Sequence, residues 1–244
     1  MAKMQETAKE AQDFLDSLAG QGLENMDSSA VSTSYLSIVQ PRGVYGLEHP
    51  DQKGHFQNTG TGTVFGSKVN VVVVAFKQIW NERNKEGGTV GRYEPGSIAI
   101  KEEPVPRGQR GFPKKINPET GNEIVETFMY AVVFPEYPEE GVAIFIPTKS
   151  SLKQSRKWNT MMRSSRTPSG APAPIFGFVW EMSAEIADEK TPTEHARLKN
   201  VARVGTIAQD LYASVILPAR QIQMSAQLAI AAPDEDAAPA SADY

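Results

Sequence analysis

The chain has 244 residues, 40% of them hydrophobic and 22% charged, with a formal net charge of −4; this supports one sizeable domain with tails and excludes disorder throughout. The absence of cysteine excludes a disulfide framework, thiolate zinc sites, iron–sulfur clusters and cysteine nucleophiles. No apolar run has the length of a membrane span and the N-terminus lacks a signal-peptide core, so the expectation is a soluble, cytoplasmic protein with no membrane contact.

Residues 3–19 place Met4, Ala8, Ala11, Phe14, Leu15 and Leu18 at three- and four-residue spacing, which predicts a short helix stopped at Gly20. Its narrow stripe leaves three expectations: docking on the body, pairing with another subunit in a homo-oligomer, or staying mobile. Residues 25–34 are polar and read as a linker. Tyr35 to Val39 is a short strand ended by Pro41, and 41–63 reads as a long loop containing the turn Asn58 to Thr63. Lys68 to Trp80 is the strongest strand, and its continuous apolarity predicts burial on both faces. Asn81 to Gly91 reads as a charged turn, Ser97 to Ile100 as a strand, and the Pro- and Gly-rich 102–122 as an extended loop. Thr127 to Phe134 and Val142 to Ile146 carry a hairpin signal.

Thr148 to Met162 reads as a helix capped by Thr148 or Ser150, with Leu152, Trp158, Met161 and Met162 on its apolar side. Ile175 to Ile186 alternates as a strand, with Phe176, Phe178 and Trp180 on one face. Asn200 to Ile207 is strand-compatible. Thr206 to Leu217 and Ala219 to Ala229 are helix-compatible, with Pro218 separating them. The Ala/Pro/Asp-rich end predicts disorder. Short strands, long loops and few helices indicate a mainly β fold, a barrel or sandwich decorated with helices. The expected organisation is an acidic helix and linker over 1–30, a body over 31–230 and an acidic tail over 231–244.

Charge is segregated. Residues 1–30 set Lys3 and Lys9 against Glu6, Glu10, Asp13, Asp16, Glu24 and Asp27, and the tail holds Asp234, Glu235, Asp236 and Asp243 with no base. The middle is therefore net positive. From Gly141 to Trp180 there is no acid, yet Lys149, Lys153, Arg156, Lys157, Arg163 and Arg166 are present. Arg107, Arg110, Lys114 and Lys115 form a second basic stretch. Acidic ends around a basic middle point to a polyanion partner, with the tail competing for the basic surface; solvated lysine-bearing loops are the plainer alternative.

Catalysis has no visible carrier, so an enzyme is not expected. His49 and His55 share one loop but lack a third ligand at metal-site spacing, and His195 falls in a charged turn. No metal or other cofactor is expected. Gly60 to Lys68 looks like a phosphate loop, but its lysine does not follow a glycine and the segment precedes the strong strand instead of following one. A hairpin turn fits it better.

Single-stranded nucleic acid asks for flat rings against its bases and cations against its phosphates. The sequence interleaves the two. Trp80 lies near Lys77, Arg83 and Lys85; Tyr93 follows Arg92; Phe112 lies between Arg110 and the Lys114–Lys115 pair; Trp158 follows Arg156 and Lys157. Core packing is the competing role for the two tryptophans.

The acidic C-terminal tract, with Asp234, Glu235, Asp236 and Asp243 before a terminal Tyr244, is similar to the tails of bacterial and phage single-stranded DNA-binding proteins. Those tails recruit replication and recombination enzymes. The body resembles a family of phage-encoded proteins held to be OB-fold single-stranded DNA binders. The order carrying this resemblance is TGTVFG, VNVVVVAFKQIW, a Gly–Gly turn, FMYAVVFPE, VAIFIPTKSSLKQSRKWNTMM and PIFGFVWEMSAE, with Ser-x-x-Lys-x-x-Arg-Lys over Ser150 to Lys157 as its most specific piece. It implies an OB-like antiparallel barrel that binds single-stranded DNA in phage replication or recombination. Lys149 to Arg163 and Arg107 to Lys115 would meet phosphates, and the rings would stack. The alternatives are a virion scaffold whose N-terminal helix drives assembly, and a nuclease or recombination enzyme whose acids converge from distant segments.

Overall fold

The computed structural model describes residues 34–104, 113–188 and 193–220. The expected N-terminal helix, the boundaries at residues 30 and 231, and the acidic tail lie outside the described residues.

The fold is organised by one long strand, β4 (Lys68–Arg83, 16 residues). β8 (Glu123–Val133) lies antiparallel along one edge of β4 from Val72 to Arg83. The other edge is shared. β10 (Phe178–Ala187) pairs with Lys68 to Val71, and β5 (Thr89–Tyr93) pairs with Trp80 to Arg83. Beyond β10 lies β11 (His195–Thr206). Beyond β8 come β9 (Val142–Phe145), β1 (Tyr35–Ile38), β2 (Phe56–Asn58) and β3 (Val64–Gly66), while β6 (Lys101–Glu103) and β7 (Lys114–Ile116) hang from the start of β8. The result is mainly β: a curled, open half-barrel with few helices. All described pairings are antiparallel except β1 with β9. Gln40, just after β1, helps the curl. Its side-chain amide donates to the Ala196 carbonyl and accepts from the Ala196 amide, both at 3.1 Å, so it pairs with β11 as a peptide group would.

The first half of β4 is buried on both faces, as its valine run predicts. Val69, Val71 and Val73 enter a cluster with Tyr130, Val132, Trp158 and Trp180. Val72 and Val74 enter a second cluster with Ala131, Val133 and Ile216. Helix α2 (Leu152–Ser164), entered through a 3₁₀ turn over Lys149–Ser151, covers the first face. A helical segment beginning Gln209–Leu211 (α3) covers the second with Ile216 and Ala219. A bulge between Val73 and Ala75 resets the alternation, so Phe76 continues the α2 side, its ring meeting Phe128 and Tyr130.

Several elements depart from the sequence reading. The 41–63 loop contains a short helix, α1 (Val44–Glu48), and β2. The supposed turn 81–91 is mostly strand, and only 84–88 turns. Ser97 to Ile100 is not a strand, whereas Lys101–Glu103 and Lys114–Ile116 pair with each other inside the expected loop. Phe176 does not share a face with Phe178 and Trp180; it packs on Tyr212 in the second cluster. Neither Thr148 nor Ser150 caps α2 through its side chain. Ser151 anchors that end instead, its Oγ accepting from the Leu198 amide at 3.0 Å. Pro218 does not interrupt the helical run as far as Arg220, and residues 221–229 of the second expected helix lie outside the described residues. The chain passes from α3 through a π turn over Tyr212–Ile216 and stays helical to Arg220. The wider turn just ahead of Pro218 accommodates its missing N–H and its ring.

Candidate nucleic-acid interface

At 100° per residue, Lys153, Arg156, Lys157 and Arg163 fall within about a third of the circumference of α2, and all four are exposed. The opposite side holds buried Ser155 and Trp158 with Leu152, Met161 and Met162 packed on the sheet. Lys149 stands just before the helix, 3.7 Å from Glu123, and Arg156 pairs with Glu126. Both acids belong to β8, which the acid-free reading of 141–180 did not anticipate. Lys153, Lys157 and Arg163 have no carboxylate partner among the described residues.

The rings do not stand with these cations. Trp158 is 0% exposed, stacked on Tyr130 at 4.5 Å and edge-on to Trp180 at 6.2 Å. Its expected stacking role is corrected. Following Lys157 in a helix turns the ring about 100° away, into the core. Burial also pushes the Tyr130 hydroxyl up from its ordinary pKa, and that hydroxyl donates to Asn159 Oδ1 at 2.8 Å, fixing α2 on the sheet.

The arm formed by the second half of β4 with β5 and β8 divides the other expected residues. Gln78, Trp80 and Glu82 share the face on which Gln78 donates to Glu126, the carboxylate that Arg156 reaches. Lys77, Ile79, Asn81 and Arg83 alternate to the opposite face, and Arg92, opposite Asn81, joins them. Strand alternation therefore separates Lys77, Arg83 and Arg92 from the rings of Trp80 and Tyr93, and from α2.

Tyr93 is committed elsewhere. Its hydroxyl donates to Glu82 Oε2 at 2.7 Å. Glu82, 2% exposed, also accepts from Thr120, from Asn122 Nδ2 at 2.7 Å and from Asn117 Nδ2 at 3.1 Å. These bonds, Thr120's first and Tyr93's next, outweigh burial and lower its pKa to about 2. Donating to that carboxylate raises the pKa of Tyr93. The loop Asn117 to Asn122 is thus fastened onto the arm by a buried carboxylate.

A second carboxylate does the same for the phosphate-loop look-alike. Glu140 accepts from Thr61, Thr63 and Asn58 Nδ2, the last at 2.8 Å. Burial acts to raise its pKa, and the three bonds together lower it below the ordinary value. The hydroxyl-rich turn that mimics a phosphate cradle already holds an internal anion.

Lys114 and Lys115 lie opposite Glu103 and Glu102 across the β6–β7 ladder, so opposite charges face each other there. Lys115 Nζ also sits 6.0 Å over the half-buried Trp80 ring. Arg107, Arg110 and Phe112, and the tail residues Asp234, Glu235, Asp236, Asp243 and Tyr244, lie outside the described residues.

Beyond the end of α2 stand two arginines: Arg166, which sequence reasoning placed in the basic stretch but not among the site residues, and Arg203, which it missed. Arg166 donates through Nη1 to the carbonyls of Arg163 and Ser165 at 3.1 and 3.0 Å. Arg203, from β11, holds its guanidinium carbon 4.7 Å from the centroid of the Phe178 ring. Both line an open cavity of about 640 Å³. The available signal was a second acid-free stretch, His195 to Gln209. Its strand, β11, packs against α2; of its bases, Arg197 and Lys199 pair with Glu185 and Arg203 lies over Phe178.

The sequence profile of Pam3 phage gp34-like proteins matches residues 4–215. The chain belongs to this family. Its name ties the family to a phage, and the match spans the whole described sheet together with α2. No curated protein and no solved structure matches the chain. Among the described residues no helix is long and apolar enough to cross a membrane.

Proposed function

We propose that the protein binds single-stranded nucleic acid, as a phage DNA-binding protein of replication or recombination, along the exposed side of α2. The observation that carries this reading is the set Lys153, Lys157 and Arg163: three exposed cations on one helical side without carboxylate partners among the described residues. Phosphates supply the missing charge, and their condensed counterions are released on binding. Lys149 and Arg156 exchange Glu123 and Glu126 for phosphates as the strand arrives. The OB-like barrel implied by resemblance belongs to this proposal, supported by the curled, mainly β sheet. So does competition from the acidic C-terminal segment, supported by its charge.

The test is fluorescence anisotropy of a labelled oligothymidine. Tryptophan quenching is the wrong reporter, because Trp158 and Trp180 are sealed in the core. With about four phosphates neutralised, the logarithm of the binding constant should fall with log salt at a slope of about −3. Removing residues 233–244 should tighten binding at low salt. Binding that ignores salt argues against the phosphate reading, and unchanged affinity after truncation argues against a competing tail.

A further inference from the structure

The cavity at the end of α2 supplies what the basic helix lacks, a flat surface for a base. Arg166, Thr167, Phe178, Arg203, Val204 and Thr206 are among the residues lining it, and no acid does. Arg203 is exposed, and its guanidinium rests over Phe178 at 4.7 Å, where the ring's negative face holds the cation. A guanidinium laid on an aromatic ring keeps its other face available, and nucleobases stack on such planes. Arg166 is oriented by its two carbonyl bonds through Nη1. Its remaining guanidinium nitrogens have no hydrogen-bond partner among the described residues, and Thr167 and Thr206 belong to the same lining. The volume, about 640 Å³, lies within the range of small-ligand sites.

We infer that this cavity holds one nucleotide of the bound strand, its base stacked on the Arg203 guanidinium and its phosphate on Arg166. The inference rests on the proposed nucleic-acid reading and moves base stacking from the buried tryptophan to an arginine carried by an aromatic ring. It also gives the interface an end: phosphates track α2 from Lys149 to Arg163, and the stacked unit lies beyond.

The experiment compares a labelled twenty-nucleotide oligothymidine with an abasic strand of the same length, using the full chain, wild type and Arg203→Lys. Lysine keeps the charge and a cation over Phe178 but has no plane to stack on. Wild type should prefer the strand with bases by about ten-fold. Arg203→Lys should lose that preference while binding the abasic strand as wild type does. Arg166→Gln should weaken both strands alike. A base preference surviving in Arg203→Lys overturns the inference and leaves the proposed function standing. If wild type binds neither strand, both fail. Far-ultraviolet circular dichroism and melting check that the variants are folded; should Arg203→Lys not fold, loss of the preference on mixing wild type with excess thymidine monophosphate, and not with inorganic phosphate, decides the same point.

Discussion

The two halves of β4 face opposite circumstances. From Val69 to Ala75 the strand is covered on both faces, by α2 and its cluster on one side and by Ile216 and Ala219 on the other. From Phe76 to Arg83 it runs out into an arm. There one face holds Trp80 and the Glu82 network, and the other presents Lys77, Arg83 and Arg92. The first half is held by apolar packing and the second by hydrogen bonds to one carboxylate. An apolar core tolerates acid; a network centred on an ionised carboxylate does not.

That contrast fixes what variants should do. The largest effect belongs to the body. Trp158→Ala should cost about 3–5 kcal/mol in urea unfolding by opening a cavity between Tyr130 and Trp180. Trp158→Phe should cost far less, within about 1.5 kcal/mol, because the indole N–H has no partner to lose among the described residues. Trp80→Ala, on the half-buried arm, should cost less than Trp158→Ala. Equal losses would mean that the halves are not packed differently.

Next comes the arm's carboxylate. Glu82→Gln should cost about 1–3 kcal/mol, since an amide cannot accept from Thr120, Tyr93, Asn117 and Asn122 together. The pH dependence follows from the lowered pKa. The unfolded chain takes up this proton near 4.5 and the folded chain only near 2, so the contribution is whole above 4.5 and is lost as acid takes the pH from 4.5 toward 2. Glu82→Gln should flatten the stability profile in that window. An unchanged profile would remove Glu82 as its source.

The smallest effects separate the two basic surfaces. Lys77→Ala and Arg92→Ala, on the face of the arm turned away from α2, should leave oligothymidine affinity within two-fold of wild type, about 0.4 kcal/mol. Both should keep stability within about 0.5 kcal/mol, as exposed charges do. A large loss from Lys77→Ala would move the interface to the arm.

Much of the body was legible. The valine run announced a strand buried on both faces, and Leu152, Trp158, Met161 and Met162 announced the inward side of α2. The strands near residues 100–116 were hidden by Pro104 and the surrounding Pro/Gly composition, because three-residue strands hold too few side chains to show alternation. Of the candidate site, the sequence showed which cations share a segment, and Lys153, Arg156, Lys157 and Arg163 fall on one exposed side of α2. It did not show which rings stand beside them, because adjacency in sequence means opposite faces on a strand and about 100° on a helix. Trp80 beside Lys77 and Arg83, and Trp158 beside Lys157, fail for this one reason. Arg203 came from a distant strand and only β11's register brings it near α2.

The most direct measurement is anisotropy of labelled oligothymidine with wild type and the double variant Lys153→Glu, Lys157→Glu, at low and high salt. Both residues are exposed and unpaired among the described residues, so the fold should survive the change. The expected result is salt-sensitive binding by wild type and a loss of at least about a hundred-fold in the variant at low salt. Equal binding by the two proteins would contradict the account.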